Sequence, residues 1–221
     1  MTTTAEPNST LATSGAVVHW AARYDFLVWL LTLGRERNFR KRLLEPARLQ
    51  PGESVLDVGC GTGTLAIAAK RRVGSTGSVY GIDASPAMIA RATNKAKKKA
   101  ADVTFELGVA ESLVFPDGRF DVVLSTVMLH HLPRKAREQG VREMRRVLRP
   151  GGRLLVVDFA GASPNGGGPL VHFHRHGHVE PRALIDLVSG AGLNVVESGP
   201  LGTWSLHFVL AEARPDATRG A

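Results

Sequence analysis

Residues 55–63 read Val-Leu-Asp-Val-Gly-Cys-Gly-Thr-Gly, and Asp83 follows 20 residues after the last of those glycines. A short apolar run that ends in glycines and passes into the helical pattern 64–72 spells strand, tight turn, helix. Glycine suits that turn because the backbone must bend sharply and let a ligand approach with no Cβ in the way. A second apolar run, 78–82, is expected beside the first and ends at Asp83. A carboxylate at that strand tip can accept both hydroxyls of a ribose, so the pair of motifs describes a nucleoside pocket.

The spacing narrows the choice of nucleoside. A dinucleotide fingerprint, G-x-G-x-x-G, requires glycine at position 64, where this chain has Thr64; its glycines stand at 59, 61 and 63. Asp57 precedes them, where a carboxylate would repel a pyrophosphate and could instead position an ammonium group. The motif therefore favours a zwitterionic or cationic ligand over NAD.

Outward from this unit, strand and helix patterns alternate. Strands are expected near 53–58, 78–83, 102–107, 120–126 and 153–159, with helices near 63–72, 85–99, 111–113 and 134–148. Pro150-Gly-Gly152 reads as the turn feeding the fifth strand, a last helix is expected at 181–191, and runs near 193–199 and 203–211 suggest a closing hairpin. Alternation with helical crossovers implies an α/β fold with a parallel sheet covered on both faces. Ahead of it, 17–50 reads as a helical cap after a Thr/Ser/Ala-rich tail, 1–16, that is expected to be disordered. The main domain is expected over 51–212, with 161–181 as a substrate-side loop and 213–221 as a tail.

At 221 residues the chain suits one domain with a substantial core. The tail lacks the basic start and apolar stretch of a secretory leader, and the longest apolar run, 26–33, is too short to span a bilayer. One cysteine, Cys60, excludes an intrachain disulfide and fits a reducing cytoplasm. The net charge of +8 resides in clusters at 35–42, 95–99 and 134–149, each interleaved with apolar residues at helical spacing. That pattern describes solvated helix faces and no nucleic-acid motif, with peripheral contact to anionic lipid as the alternative, because the 35–42 cluster follows the apolar 26–33.

Several residues carry candidate chemistry. His130 and His131 follow the fourth strand, where a second ligand would enter, and either imidazole can deprotonate a hydroxyl near neutral pH. Cys60 sits inside the glycine turn and reads as a space-filler rather than a nucleophile. Histidines 172, 174, 176 and 178 alternate in Val-His-Phe-His-Arg-His-Gly-His-Val. No carboxylate or cysteine lies among them, so a wall of the substrate pocket is favoured, with a solvated loop as the next reading ahead of a metal site, and no metal is expected.

These motifs resemble those of class I S-adenosylmethionine-dependent methyltransferases of the ubiquinone/menaquinone-biosynthesis type. The resemblance runs in order through Ala22-Arg-Tyr-Asp25, the 55–63 run, Gly81-Ile-Asp-Ala-Ser-Pro-Ala-Met88 and Phe115-Pro-Asp-Gly-Arg-Phe-Asp121. It continues through Leu129-His-His-Leu132 and Arg146-Val-Leu-Arg-Pro-Gly-Gly-Arg-Leu154. It implies a Rossmann-like, doubly wound seven-stranded sheet, mostly parallel with an antiparallel last strand, and S-adenosyl-L-methionine as cofactor. It implies that Asp83, with Ala84 beside it, holds the ribose hydroxyls and that Gly59, Gly61, Thr62 and Gly63 line the methionine and ribose portion. It further places Met88 over the adenine, Thr126 against the cofactor, and Tyr24 in a cap that closes over it. Val109 stands where many relatives carry an Asp or Asn for the adenine amino group, so that contact passes to Ala110 backbone groups, apolar packing or Glu111. Glu111 has a competing reading as an acid at a helix N-terminus. The implied activity is methyl transfer to a small-molecule acceptor at carbon, oxygen or nitrogen; the alternative is a non-catalytic cofactor-binding protein on the same fold.

Overall fold

The structure, a computed structural model, describes residues 36–159, 179–202 and 205–214. Its centre is a seven-stranded sheet of β1 (Ser54–Val58), β2 (Ser78–Asp83), β3 (Thr104–Leu107), β4 (Phe120–Thr126), β5 (Leu148–Phe159), β6 (Leu193–Pro200) and β7 (Leu206–Ala213). The spatial order is β3-β2-β1-β4-β5-β7-β6. β1, β2, β3, β4 and β5 pair in parallel, and only β7 runs against its neighbours. The chain thus steps outward from β1 to β3, returns past β1 to β4, and opens a crevice at that reversal, above the strand C-termini.

Apolar residues at alternate strand positions supply both faces, as a doubly covered sheet requires. Val55, Val122, Leu124, Leu155 and Val157 pack under α1 (Glu36–Leu44) and α2 (Thr64–Val73), through Leu43, Leu44, Leu65 and Ala66. Leu56, Val58, Val123, Leu154 and Val156 pack on the other face under α4 (Arg134–Val147) and α5 (Pro181–Gly190), through Val141, Met144, Leu184 and Val188. Between them, α3 (Pro86–Lys98) starts at Ser85, whose Oγ accepts the Met88 N–H at 3.4 Å, with Pro86 in the first turn, where its missing N–H costs nothing.

Two expectations are corrected. Residues 111–113 form no helix. Val109 and Ser112 make an isolated bridge, and the backbone beyond is held by side chains of α4. Arg146 donates to the Leu113 and Phe115 carbonyls, both at 2.9 Å, and Glu143 accepts the Leu113 N–H at 2.9 Å. Those groups are therefore unavailable for i to i−4 pairing, and Glu111 has no helix dipole to complement. The second correction concerns Pro150-Gly-Gly152, which lies within β5. Phe120 pairs with Leu148 and Val122 with Arg153, so residues 149–152 bulge opposite Asp121 alone, with Gly151 at φ +74°.

No helix among the described residues is long and apolar enough to cross a membrane.

Candidate functional site

The turn after β1 is built on positive φ at Gly59 (+76°), Gly61 (+53°) and Gly63 (+72°). A side chain is excluded at two of them by space as well. A Cβ on Gly59 would collide with Met128 Cγ, and one on Gly63 would lie 2.5 Å from the Phe105 ring and 2.8 Å from Ala92. Phe105 also fills the space beside Gly81, where a Cβ would approach its ring to 2.8 Å. Three glycines thus allow one aromatic ring and one methionine to underpin the turn.

Backbone bonds fasten this turn to β2. The Ile82 carbonyl accepts the N–H groups of both Gly59 and Cys60 at 2.9 Å, and Cys60 in turn accepts from Gly63 at 2.9 Å. Asp83 completes the link, accepting the Gly61 N–H through Oδ2 and the Ser85 N–H through Oδ1, each at 2.9 Å. Burial pushes the Asp83 carboxyl up, and those two N–H groups offset part of the rise. Each oxygen retains a lone pair for a further donor.

Asp57 sits one strand over and is 1% exposed, with no group in full hydrogen-bond geometry to either carboxylate oxygen; the Ala66 backbone N–H is near enough to act on it only weakly. Burial raises its pKa to about 7; the Arg40 charge and the Ala66 N–H oppose the rise and the Asp83 carboxylate adds to it. Cys60 is also buried, and burial, reinforced by Asp57 and Asp83, pushes its thiol well above the ordinary range. A raised pKa keeps the thiol protonated, which lowers its nucleophilicity.

The other expected residues gather along the same edge of the sheet. Thr62 is buried in the turn, Ala84 follows Asp83, and Met88 is buried in the first turn of α3. Val109 and Ala110 are buried beyond β3, Glu111 beside them is half-buried, and Thr126 ends β4. A 3-10 helix, Leu129–His131, carries both histidines and separates them. The His130 side chain is 9% exposed and its Nδ1 lies 2.6 Å from Asp158 Oδ1, whereas His131 is exposed. Tyr24 and the 172–178 histidines lie outside the described residues, and among those described no cluster suits a metal.

Four residues at the site were not singled out from the sequence. Lys95 Nζ donates to Thr62 Oγ1 at 2.8 Å and Thr64 Oγ1 at 2.7 Å, and Arg40 is the cation acting on Asp57. Both belong to clusters read as solvated helix faces, and charge alone does not reveal which member turns inward. Asp158 and Met128 were hidden because strand-end and loop positions acquire partners only through tertiary folding; the small residue at Gly59 is the only local trace of Met128.

The methyltransferase-domain family matches residues 55–152. The chain is 36% identical over 142 residues to a ubiquinone/menaquinone biosynthesis C-methyltransferase of Geobacter sulfurreducens, covering 63% of this chain and 55% of that one. A protein of the same name from Bdellovibrio bacteriovorus is 36% identical over 156 residues, covering 70% and 64%. The chain thus spans between about half and two thirds of the length of these curated relatives. Among solved structures, a SAM-dependent methyltransferase from Aquifex aeolicus superposes with a TM-score of 0.68 at 23% identity over 79% of this chain and 89% of that one. The (4+2)-cyclase SpnF superposes with a TM-score of 0.69 at 20% identity over 81% of each. These two likenesses concern the fold, and the second shows that one fold serves different chemistries.

Proposed function

Residues 55–152 carry a class I methyltransferase domain, and from that premise we propose that the chain transfers a methyl group from S-adenosyl-L-methionine to a small-molecule acceptor. The observation that carries the proposal is the buried Asp57 carboxylate, which no group meets in full hydrogen-bond geometry, beside a glycine turn that Asp83 fastens to β2. An ammonium group would supply the charge and donors that Asp57 lacks. A ribose would supply hydroxyls to the open lone pairs of Asp83, and the space beside Gly61 is open to the rest of the ligand. The residues present therefore fit this cofactor, with Met88, Ala110 and Thr126 along the same edge to flank it.

When bound, the sulfonium supplies an electrophilic methyl group and leaves as a neutral thioether that needs no acid. The protein's task is then to orient the reactants and exclude water, which is where most acceleration of an in-line displacement arises. Gly61, beside which nothing lies within 4 Å, would let the backbone approach the ligand, and Asp57 and Asp83 would fix its two ends. The ends of β4 and β5, across the crevice from Asp83, remain for the acceptor. The buried lone cysteine suits the reducing cytoplasm in which we place the reaction.

Calorimetric titration with S-adenosylmethionine, S-adenosylhomocysteine and NAD tests the proposal. Micromolar binding of the first two and none of NAD is expected. Binding of NAD alone, or of nothing, would overturn it.

A further inference from the structure

Helices α1, α2 and α3 lie side by side over one face of the sheet. Arg72 of α2 donates to the Lys41 and Leu44 carbonyls of α1 at 3.2 and 3.3 Å, and Lys95 of α3 reaches Thr64 of α2 at 2.7 Å. All three run from the crevice to the opposite edge. At the crevice Arg40 acts on Asp57, α2 opens at Gly63 and α3 opens at Ser85. At the far edge the Ala47 carbonyl beyond α1 accepts from Arg153 Nε at 3.2 Å. There too the Val73 carbonyl of α2 accepts the Gly52 N–H at 2.8 Å, and the Ala96 carbonyl of α3 accepts the Ala101 N–H at 3.0 Å. Gly52 and Ala101 lie just ahead of β1 and β3, so three helix C-termini gather where the parallel strands begin.

Each of those last turns is basic, and α2 and α3 contain no aspartate or glutamate. Three of the cations serve the fold: Arg72 through the two carbonyls of α1, Lys70 by donating to the Gly77 carbonyl at 2.7 Å, and Lys95 between its two threonines. The others, Lys41, Arg42, Arg71, Lys97 and Lys98, with Lys99 next in the chain, are exposed, and no described residue pairs with their side chains. A helix dipole favours a cation in the last turn, most directly one that bonds the terminal carbonyls. These six side chains donate to no described carbonyl, and like charges so placed repel one another. The last turn of α4, on the other face, contrasts: its Arg146 is matched by Glu143 at 2.8 Å and Asp117 at 2.6 Å. The charge on the far edge thus has its complement outside the described residues.

We propose that this edge docks on an anionic lipid bilayer and that the crevice then faces away from it, into water. Helix C-termini carry partial negative charge, which opposes a phosphate held against the backbone, so the edge is no built phosphate site. Its charges instead stand on long flexible stems, most of them lysine, suited to a diffuse plane of negative charge. Among the described side chains no aromatic is exposed, so the stacking by which polynucleotides are held has no counterpart there. In sequence the basic stretch 35–42 was the lipid-facing candidate by itself; folding brings its end to the same edge as Arg71 and residues 97–99. Each cation near an anionic surface raises bilayer affinity about fivefold, so four together raise it roughly several hundredfold.

Sedimentation with vesicles tests the proposal. Binding is expected to phosphatidylcholine vesicles containing about 30% phosphatidylserine, falling steeply as salt rises from about 0.1 to 0.5 M, and not to phosphatidylcholine alone. The quadruple variant Lys41→Gln, Arg71→Gln, Lys97→Gln, Lys98→Gln should lose binding by about a hundredfold or more. It should keep its thermal midpoint, because none of the four side chains has a described partner to lose. Acetylation footprinting of the unmodified protein on the vesicles reads the orientation. Lys41, Lys97, Lys98 and Lys99 should be protected, and Lys135, exposed at the crevice end of α4, should not. No binding to the anionic vesicles, binding retained by the quadruple variant, or protection of Lys135 without the others each overturns the proposal. So does binding of an RNA duplex where vesicles are not bound, which would make the partner a polynucleotide. The proposal stands independently of the methyltransferase reading: vesicle binding without cofactor binding would remove that reading alone.

Discussion

The Oδ2 atom of Asp83 accepts the backbone N–H of Gly61 at 2.9 Å, so the residue expected to hold a ribose also holds the turn that shapes the rest of the pocket. Asp83→Ala should therefore weaken S-adenosylmethionine binding through both effects. Loss of charge-assisted hydrogen bonds of about 1.5–3 kcal/mol corresponds to a Kd raised roughly 10- to 150-fold. Calorimetry checks this, and a Kd unchanged within twofold would remove Asp83 from the site.

Asp57 gives the chain a pH dependence of defined sign. Its pKa is about 7 in the folded chain against an ordinary value of 3.8. Between those values the native state keeps a proton that the unfolded state has released, so this residue's contribution to stability is full below the lower value. It is lost as pH climbs to the upper one, at a cost of about 4 kcal/mol. Asp57→Asn should thus be more stable relative to the parent at pH 8 than at pH 4, measured by denaturant titration at both. Cofactor affinity should rise with pH as Asp57 ionises, and that rise should vanish in the variant.

Gly59→Ala should be poorly tolerated, because its Cβ would collide with Met128 Cγ with the backbone at φ +76°. Overpacking of this kind costs about 1–3 kcal/mol. Adding Met128→Ala should recover part of the loss, and a double-mutant cycle in thermal unfolding reads the coupling. Strict additivity of the two substitutions would show that the clash is relieved elsewhere.

Lys95→Met removes the ammonium that Thr62 and Thr64 share. We expect a loss of about 1–2 kcal/mol in stability and a weaker cofactor Kd, because the turn loses its tie to α3. Thermal melts with and without S-adenosylmethionine separate the two effects. An unaltered ligand-induced shift would confine Lys95 to stability.

Much of this architecture was legible because period and punctuation agreed. Strands β1, β2 and β4 carry apolar runs bounded by glycine or charge, and the helix after β2 starts at a recognisable cap, Ser85-Pro86. The stretch 111–113 misled because Ala-Glu-Ser-Leu has acceptable helix chemistry, yet Arg146 and Glu143, thirty residues on, claim its backbone. The basic clusters were read as wholly solvated, whereas Arg40, Lys95 and Arg146 each turn toward a specific acceptor or field. Adjacent His130 and His131 looked equivalent in sequence, and only the end of β5 tells them apart. Side chains whose partners lie on another element leave no periodic mark.

The insertion of β7 between β5 and β6 bears on how the chain assembles. Among the described residues β6 pairs only with β7, and β5 lacks its second neighbour until residues 206–213 arrive. During synthesis the sheet therefore waits with two open strand edges, and its closure depends on the last strand described. Such edges invite pairing with other chains, so truncation or delay before Leu206 should favour self-association over a smaller native core. Completion of the fold is in this sense a late, all-or-none event rather than a gradual accretion from the glycine turn outward.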